Sequence, residues 1–287
     1  MDLANLVSEF EPSFFLIQES KIEGKDGSVL GWHATGLTAQ GIALGSGFHS
    51  SREMARRISI SELLERAVFR IGKTASWGGP FLLKEFPSTS GFAAGFDSKA
   101  TRIRAVLEAH ERWAWSKWID DGFRVEEVTG IATLSKLSTS LLGVFDSIRF
   151  FHCQFMGDMD LSGQAQKLHF GVLLGLKDDG VFPGSRVAMN PDDIWDHAAV
   201  EAWRHHQLTR VNSSQPQDII QKRAHYFSTR SSEALRVIDG AKIQTWPRAE
   251  LRFLGEVPLN KKSFFVWRAL PKDFIGWHLG DETRFVY

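Results

Sequence analysis

A single cysteine, Cys153, stands in 287 residues, which excludes an intramolecular disulfide and a cysteine-rich zinc site and fits a reducing compartment. Set between Phe151-His152 and Gln154-Phe155, it reads as a small buried residue of a strand. Charge of one sign is also lacking, since 34 acidic side chains balance 34 basic ones. That balance argues against nucleic acid or an acidic membrane surface as the main partner. No apolar run approaches the span of a bilayer. The acidic start Met1–Pro12 lacks the basic-then-apolar order of a signal peptide, so a soluble cytoplasmic protein is expected. Neither the phosphate-loop pattern Gly-x-x-x-x-Gly-Lys-Ser/Thr nor Gly-x-Gly-x-x-Gly occurs. Tyrosine is scarce, 2 against 22 Phe and 10 Trp. Trp113, Trp115, Trp118, Trp195 and Trp203 fall on predicted helices, where helix-to-sheet packing is their expected role.

Hydrophobic period and turn residues supply a coarse map. Strands are predicted at Ser13–Glu19, Ser28–Thr35, Gln40–Gly45, Phe123–Val128, Ser147–Phe155, His169–Leu176, Phe253–Val257, Ser263–Ala269 and Thr283–Tyr287. Ser50-Ser51-Arg52-Glu53 has the form of a capping box and opens a helix to about Ile71, closed by Trp77-Gly78-Gly79-Pro80. Ser88–Gly95 leads into a second helix, Lys99–Ile119, stopped by Asp120-Asp121-Gly122. Lys177-Asp178-Asp179-Gly180 is a predicted turn, and Asn190-Pro191-Asp192-Asp193 starts a third long helix to about Leu208. Val211–Gln221, rich in Ser, Gln, Asn and Pro, reads as a flexible connection, and Ala224–Ala234 as a further short helix.

Within the first two helices one pattern occurs twice: Glu62-Leu63-Leu64-Glu65-Arg66 and Glu108-Ala109-His110-Glu111-Arg112. Carboxylates three apart share a helix face, so each copy presents two acids in one direction. The acids interrupt lines of apolar residues: Ala55, Ile58 and Phe69 flank Glu62 and Glu65, and Trp115 follows Arg104, Glu108 and Glu111. A partly buried carboxylate needs a cation, a set of donors or a proton. Glu62, Glu65, Glu108 and Glu111 are therefore candidate ligands for a hard cation such as magnesium. The alternative is that Glu62–Arg66 and Glu108–Arg112 are ordinary i,i+4 ion pairs. A di-iron site would need Glu-x-x-His, whereas His110 follows Glu108 by two. On the third helix His197, Glu201 and His205 are spaced by four, open to a metal, a hydrogen-bonded face or substrate contact.

The order of these motifs resembles the YcaO-domain family. Ser46-Gly47 with the Glu62/Glu65/Arg66 helix is similar to its first element. Gly91-Phe92-Ala93-Ala94-Gly95 leading to Glu108/Glu111/Arg112 is similar to the second, and Gly184 with the Glu201 helix to the third. The resemblance covers about residues 40 to 210. It implies a mixed α/β fold, pseudo-duplicated with helices packed on sheets around a central nucleotide cleft. It further implies one domain over 1–287 with half-repeats at about 40–75 and 88–120. It also implies ATP and magnesium as cofactors, with Glu62, Glu65, Glu108 and Glu111 holding the metal and Ser46, Gly47, Arg112 and Glu201 approaching the nucleotide. The implied activity is phosphorylation of a backbone amide oxygen of a ribosomally made peptide, giving an azoline or thioamide. The implied partner is that peptide or a maturation protein, with a second copy of the chain as a further candidate. The sequence departs from the family pattern at Phe48, where a lysine is expected, and at His49, Phe96, Ala100 and Arg204. The Pro-rich C-terminus of azoline-forming members is missing. These departures support a second reading, a non-catalytic relative that scaffolds a maturation complex or holds a peptide.

Overall fold

The computed structural model describes residues 15–24, 26–38, 44–73, 76–129, 134–160, 164–211, 219–259 and 264–285. The predicted connection Val211–Gln221 and the predicted strands at Ser13–Glu19, Gln40–Gly45, Ser263–Ala269 and Thr283–Tyr287 lie partly outside these residues. The architecture is mixed α/β, with six helices and three antiparallel sheets among the described residues. The chain divides into two compact units, one formed by Met1–Val106 with Phe253–Ala269, the other by Leu107–Arg252 with Leu270–Tyr287. No helix among the described residues is long and apolar enough to cross a membrane.

In the first unit, β1 (Phe15–Glu23), β2 (Val29–Thr38) and β3 (Leu44–His49) form an antiparallel sheet in that order. The β1–β2 turn is closed by Asp26, whose carboxylate accepts from the Ser28 N–H and hydroxyl, and Gly27 takes the positive φ the turn needs. Helix α1 (Arg52–Gly72) follows β3 and lies directly on it. Gly45 and Gly47 permit this approach, because a Cβ on Gly47 would sit 2.0 Å from the Ala55 carbonyl oxygen. The expected capping box is not formed. Ser51 is the N-cap without a side-chain hydrogen bond, its own N–H donates to His49 Nδ1 at 2.9 Å, and Glu53 pairs with Arg57. The apolar side of α1 (Leu64, Val68, Phe69) packs with Phe81, Leu83, Phe92 and Val266. A second sheet has the order β4 (Phe92–Gly95), β10 (Phe264–Pro271), β9 (Leu251–Leu259).

Helix α2 (Ser98–Ile119) starts in the first unit and passes into the second at Leu107. Asp97 caps it by accepting from the Ala100 N–H at 2.7 Å. Its C-terminal half carries Trp113, Trp115 and Trp118, all buried as their helix-to-sheet role predicts. In the second unit, β5 (Glu126–Glu127), β6 (Ser147–Asp158), β7 (Ala165–Lys177) and β8 (Gly180–Ala188) form an antiparallel sheet in that order. Leu168 to Gly175 of β7 are buried without interruption, the mark of a strand covered on both faces. The predicted turn joins β7 to β8, with Asp178 at φ +51.

Helix α3 (Lys136–Leu142) precedes β6, and α4 (Trp195–Val211) packs on β8 after a 3-10 turn at Pro191–Asp193 that Asn190 caps. The predicted helix at Ala224–Ala234 is two helices, α5 (Ile219–Phe227) and α6 (Ser231–Gly240). Two predicted strands are corrected. Phe123–Val128 keeps only the two residues of β5 and a single bridge from Phe123 to Ile243. Thr283 to Phe285 is a turn, because Arg284 reaches back to the Asp120 carboxylate at 2.5 Å and to the carbonyls of Gly276, Leu279 and Ile275.

Candidate functional site

Both pairs of repeated acids are held by donors of the chain, and the two units do this differently. In the first unit the Ser46 N–H donates to Glu62 Oε2 at 2.7 Å, and Arg66 pairs with Glu62 Oε1 at 2.5 Å. The i,i+4 alternative for Glu62 is therefore present, with a strand amide added to it. Glu65 is held by Arg104, which also donates to Ser61 Oγ at 3.0 Å, and by the backbone of Ala94. Burial, opposed by Arg104, raises the Glu65 carboxyl above its ordinary range. Each carboxylate thus has one guanidinium and one strand amide. Gly47 turns its missing side chain toward α1, and the Ser46 N–H is already committed to Glu62. Phe48, at the expected lysine position, is buried with its ring stacked on His33 at 4.2 Å between centroids.

In the second unit Ser185 is the centre. Its hydroxyl donates to Glu111 Oε1 at 2.6 Å and accepts from Trp115 Nε1 at 2.8 Å, while its N–H donates to Glu201 Oε2 at 3.2 Å. Two carboxylates, the buried Glu111 and the partly buried Glu201, are thereby fixed about one serine. Arg112 lies 3.6 Å from Glu108 and 3.7 Å from Glu111, and its guanidinium rests on the Trp277 ring 3.7 Å from the centroid. His197 Nε2 is 3.4 Å from Glu201 Oε1, and Arg186 Nη1 lies 3.2 Å from His197 Nδ1. Burial, reinforced by Glu201 and opposed by Arg112, raises the Glu111 carboxyl. For Glu201 burial acts in the same direction, but His197, Arg112 and His205 together bring it below the usual carboxylate range. His205 donates its Nδ1–H to the Pro183 carbonyl at 2.6 Å, and burial lowers its pKa.

The units repeat one another at an interval the Glu-x-x-Glu-Arg pattern does not reveal. Ser46 N–H to Glu62 and Ser185 N–H to Glu201 each span 16 residues. Arg66 binds the Leu44 carbonyl and His205 binds the Pro183 carbonyl, each across 22 residues. Gly45 meets the α1 backbone at Ser59 and Leu63, as Gly184 meets α4 at Ala198 and Ala202. Glu201 is thus the counterpart of Glu62, and His205 of Arg66. Sequence reasoning missed Ser185, Arg104 as the partner of Glu65, and Trp277. The recurring Gly-Ser followed by Glu at sixteen was the signal for Ser185.

No protein-family model matches the sequence, and no curated protein matches it. Solved structures do. The YcaO protein from Methanopyrus kandleri bound with AMPPCP and Mg2+ aligns with TM-score 0.64 at 13% identity, over 97% of this chain and 91% of that one. A chain of the E. coli microcin synthetase McbBCD complex aligns with TM-score 0.63 at 10% identity, over 90% and 88%. A heterocyclase in complex with substrate and cofactor aligns with TM-score 0.55 at 9% identity, over 96% of this chain and 53% of that one. These likenesses define the class of the fold: it is YcaO-like.

Proposed function

We propose that the protein uses ATP and magnesium to activate a backbone amide of a ribosomally made peptide, in its maturation to an azoline or thioamide. It would act in the cytoplasm beside a partner maturation protein. The observation that carries this reading is the acid group of the second unit, in which the buried Glu111 shares Arg112 with the partly buried Glu108 and shares Ser185 with the partly buried Glu201. Among the described residues no three His, Cys, Asp or Glu side chains are arranged to hold a metal by themselves. Magnesium commonly takes only one or two carboxylates, with phosphates and water completing its shell, so Glu111 and Glu201 fit it together with a nucleotide. When bound, the ion would offset phosphate charge as the amide oxygen, a poor leaving group, is phosphorylated.

In this reading Ser185 keeps both carboxylates in place, Glu108 completes the acid set, and Arg112, braced on Trp277, faces the phosphates. Ser46 and Gly47 are left out of the nucleotide contacts because the Ser46 N–H serves Glu62 and Gly47 packs on α1. Support comes from the fold shared with a YcaO protein that binds AMPPCP and Mg2+ and with a microcin synthetase seen with pro-MccB17. The second reading, a non-catalytic scaffold or peptide-binding subunit, is favoured by Phe48 stacked on His33 in the place expected for lysine. Titration calorimetry with ATP and Mg2+ separates them. Binding weakened at least about tenfold in Glu201→Gln is expected. No heat at millimolar nucleotide would sink the catalytic reading, and the scaffold reading then predicts partner binding that Glu201→Gln leaves unchanged.

A further inference from the structure

The acids of the first unit present a different charge balance. Glu62 has both oxygens engaged, Oε1 by Arg66 and Oε2 by the Ser46 N–H. Glu65 is engaged by Arg104 and by the Ala94 backbone. Both arginines are partly exposed, 41% for Arg66 and 42% for Arg104, but each is anchored by further acceptors. Arg66 donates as well to the Leu44 carbonyl at 2.8 Å, and Arg104 to Ser61 Oγ at 3.0 Å and the Ala94 carbonyl at 3.4 Å. Two carboxylates and two guanidiniums meet here at short range, whereas in the second unit Arg112 lies 3.6 Å from Glu108 and 3.7 Å from Glu111. A guanidinium matches a carboxylate's geometry and is always charged, so it neutralises an acid as a divalent cation does but leaves no coordination site open.

We infer that Arg66 and Arg104 stand in for a divalent cation at Glu62 and Glu65, so that this carboxylate pair works as a metal-independent ion-pair lattice tying α1 to β3 and to the start of α2. The residues do not fit a metal in the way the spacing of the two glutamates suggests. This inference is independent of the nucleotide reading, which concerns the acids of the second unit. It narrows that reading, because any divalent ion the protein takes is then held without Glu62 and Glu65.

The test is Mn2+ binding, followed by electron paramagnetic resonance of the free ion, in proteins whose folding is checked by thermal melts. Glu65→Gln is expected to keep wild-type Mn2+ affinity within about twofold while lowering the melting temperature. The double variant Arg66→Gln/Arg104→Gln is expected to gain about one weak Mn2+ per chain, which adding Glu65→Gln removes. Loss of a wild-type Mn2+ site in Glu65→Gln, or no gain in the folded double variant, would overturn the inference. Should the double variant not fold, the Glu65→Gln comparison still decides it. Glu111→Gln in the same assay reads the other proposal separately.

Discussion

His110 makes the stability of this protein sensitive to mild acid. It lies between Glu108 and Glu111 in sequence but is fully buried, its Nε2–H donating to the Asp158 carbonyl at 2.7 Å. That bond fixes the tautomer, and the remaining ring nitrogen, Nδ1, is buried with no hydrogen-bond partner among the described residues. The ring is closed in by Phe155 and by Gly157, where a Cβ would come within 2.7 Å of it. Burial therefore pushes the imidazole pKa down to about 4 from an ordinary 6.5, although the Asp158 carbonyl and carboxylate pull upward. The unfolded chain takes up the proton below its ordinary pKa, while the folded protein refuses it until about pH 4. Stability from the neutral ring is thus complete above the unfolded pKa and is lost as pH falls toward the folded one. The full loss is about 3 kcal/mol, of which about 2 kcal/mol falls between pH 7 and pH 5.

Urea unfolding at those two pH values, for the wild type and for His110→Gln, isolates the effect. Glutamine keeps an amide donor for the Asp158 carbonyl but does not titrate. His152, His169 and His205, also lowered by burial, remain in both proteins and cancel in the comparison. The wild type is expected to lose about 2 kcal/mol more than the variant on acidification. Equal losses, or a His110 NMR titration with an ordinary midpoint, would refute the reasoning.

Two further outcomes follow from the packing. Gly47→Ala and Gly184→Ala should each cost about 3 kcal/mol or prevent folding, because the new methyl meets helix carbonyl oxygens at 2.0 and 1.9 Å. Gly79→Ala, with no atom of the described residues within 4 Å of the new methyl, should be close to neutral in the same thermal melts. Arg284→Ala should destabilise by about 3 to 5 kcal/mol, because it strands the largely buried Asp120 carboxylate, and Arg284→Lys should not restore the bidentate pair. Hydrogen exchange should then show faster exchange in the turn around Thr283.

Much of the local structure was legible. Helices α1 and α2 were marked by their apolar period and by the stops at Trp77-Gly78-Gly79-Pro80 and Asp120-Asp121-Gly122, and α4 by Asn190-Pro191. Strand β8 was not legible. Gly180–Ala188 is buried along nearly its whole length, so it lacks the alternation that reports a half-exposed strand. The predicted strand at Thr283 failed because local propensity did not register Arg284 reaching Asp120 across 164 residues. At the candidate site, the choice of glutamates was visible as acids breaking apolar stripes. Their partners were not.

The sequence by itself determined the three long helices, the doubled acid pairs on two of them and the isolation of Cys153, because these depend on neighbours within a few turns of chain. The likeness of its motifs to YcaO proteins was also readable there, and the fold agrees with it. Only the tertiary structure decided which charge each acid meets. Arg104 stands on the stripe of Glu108 yet binds Glu65, 39 residues earlier, and Glu111 finds Ser185 across 74 residues. Spacing along a helix sets the direction in which a carboxylate points. What waits there is set by the strand or helix that packs against it, and so two copies of one motif have different electrostatic surroundings.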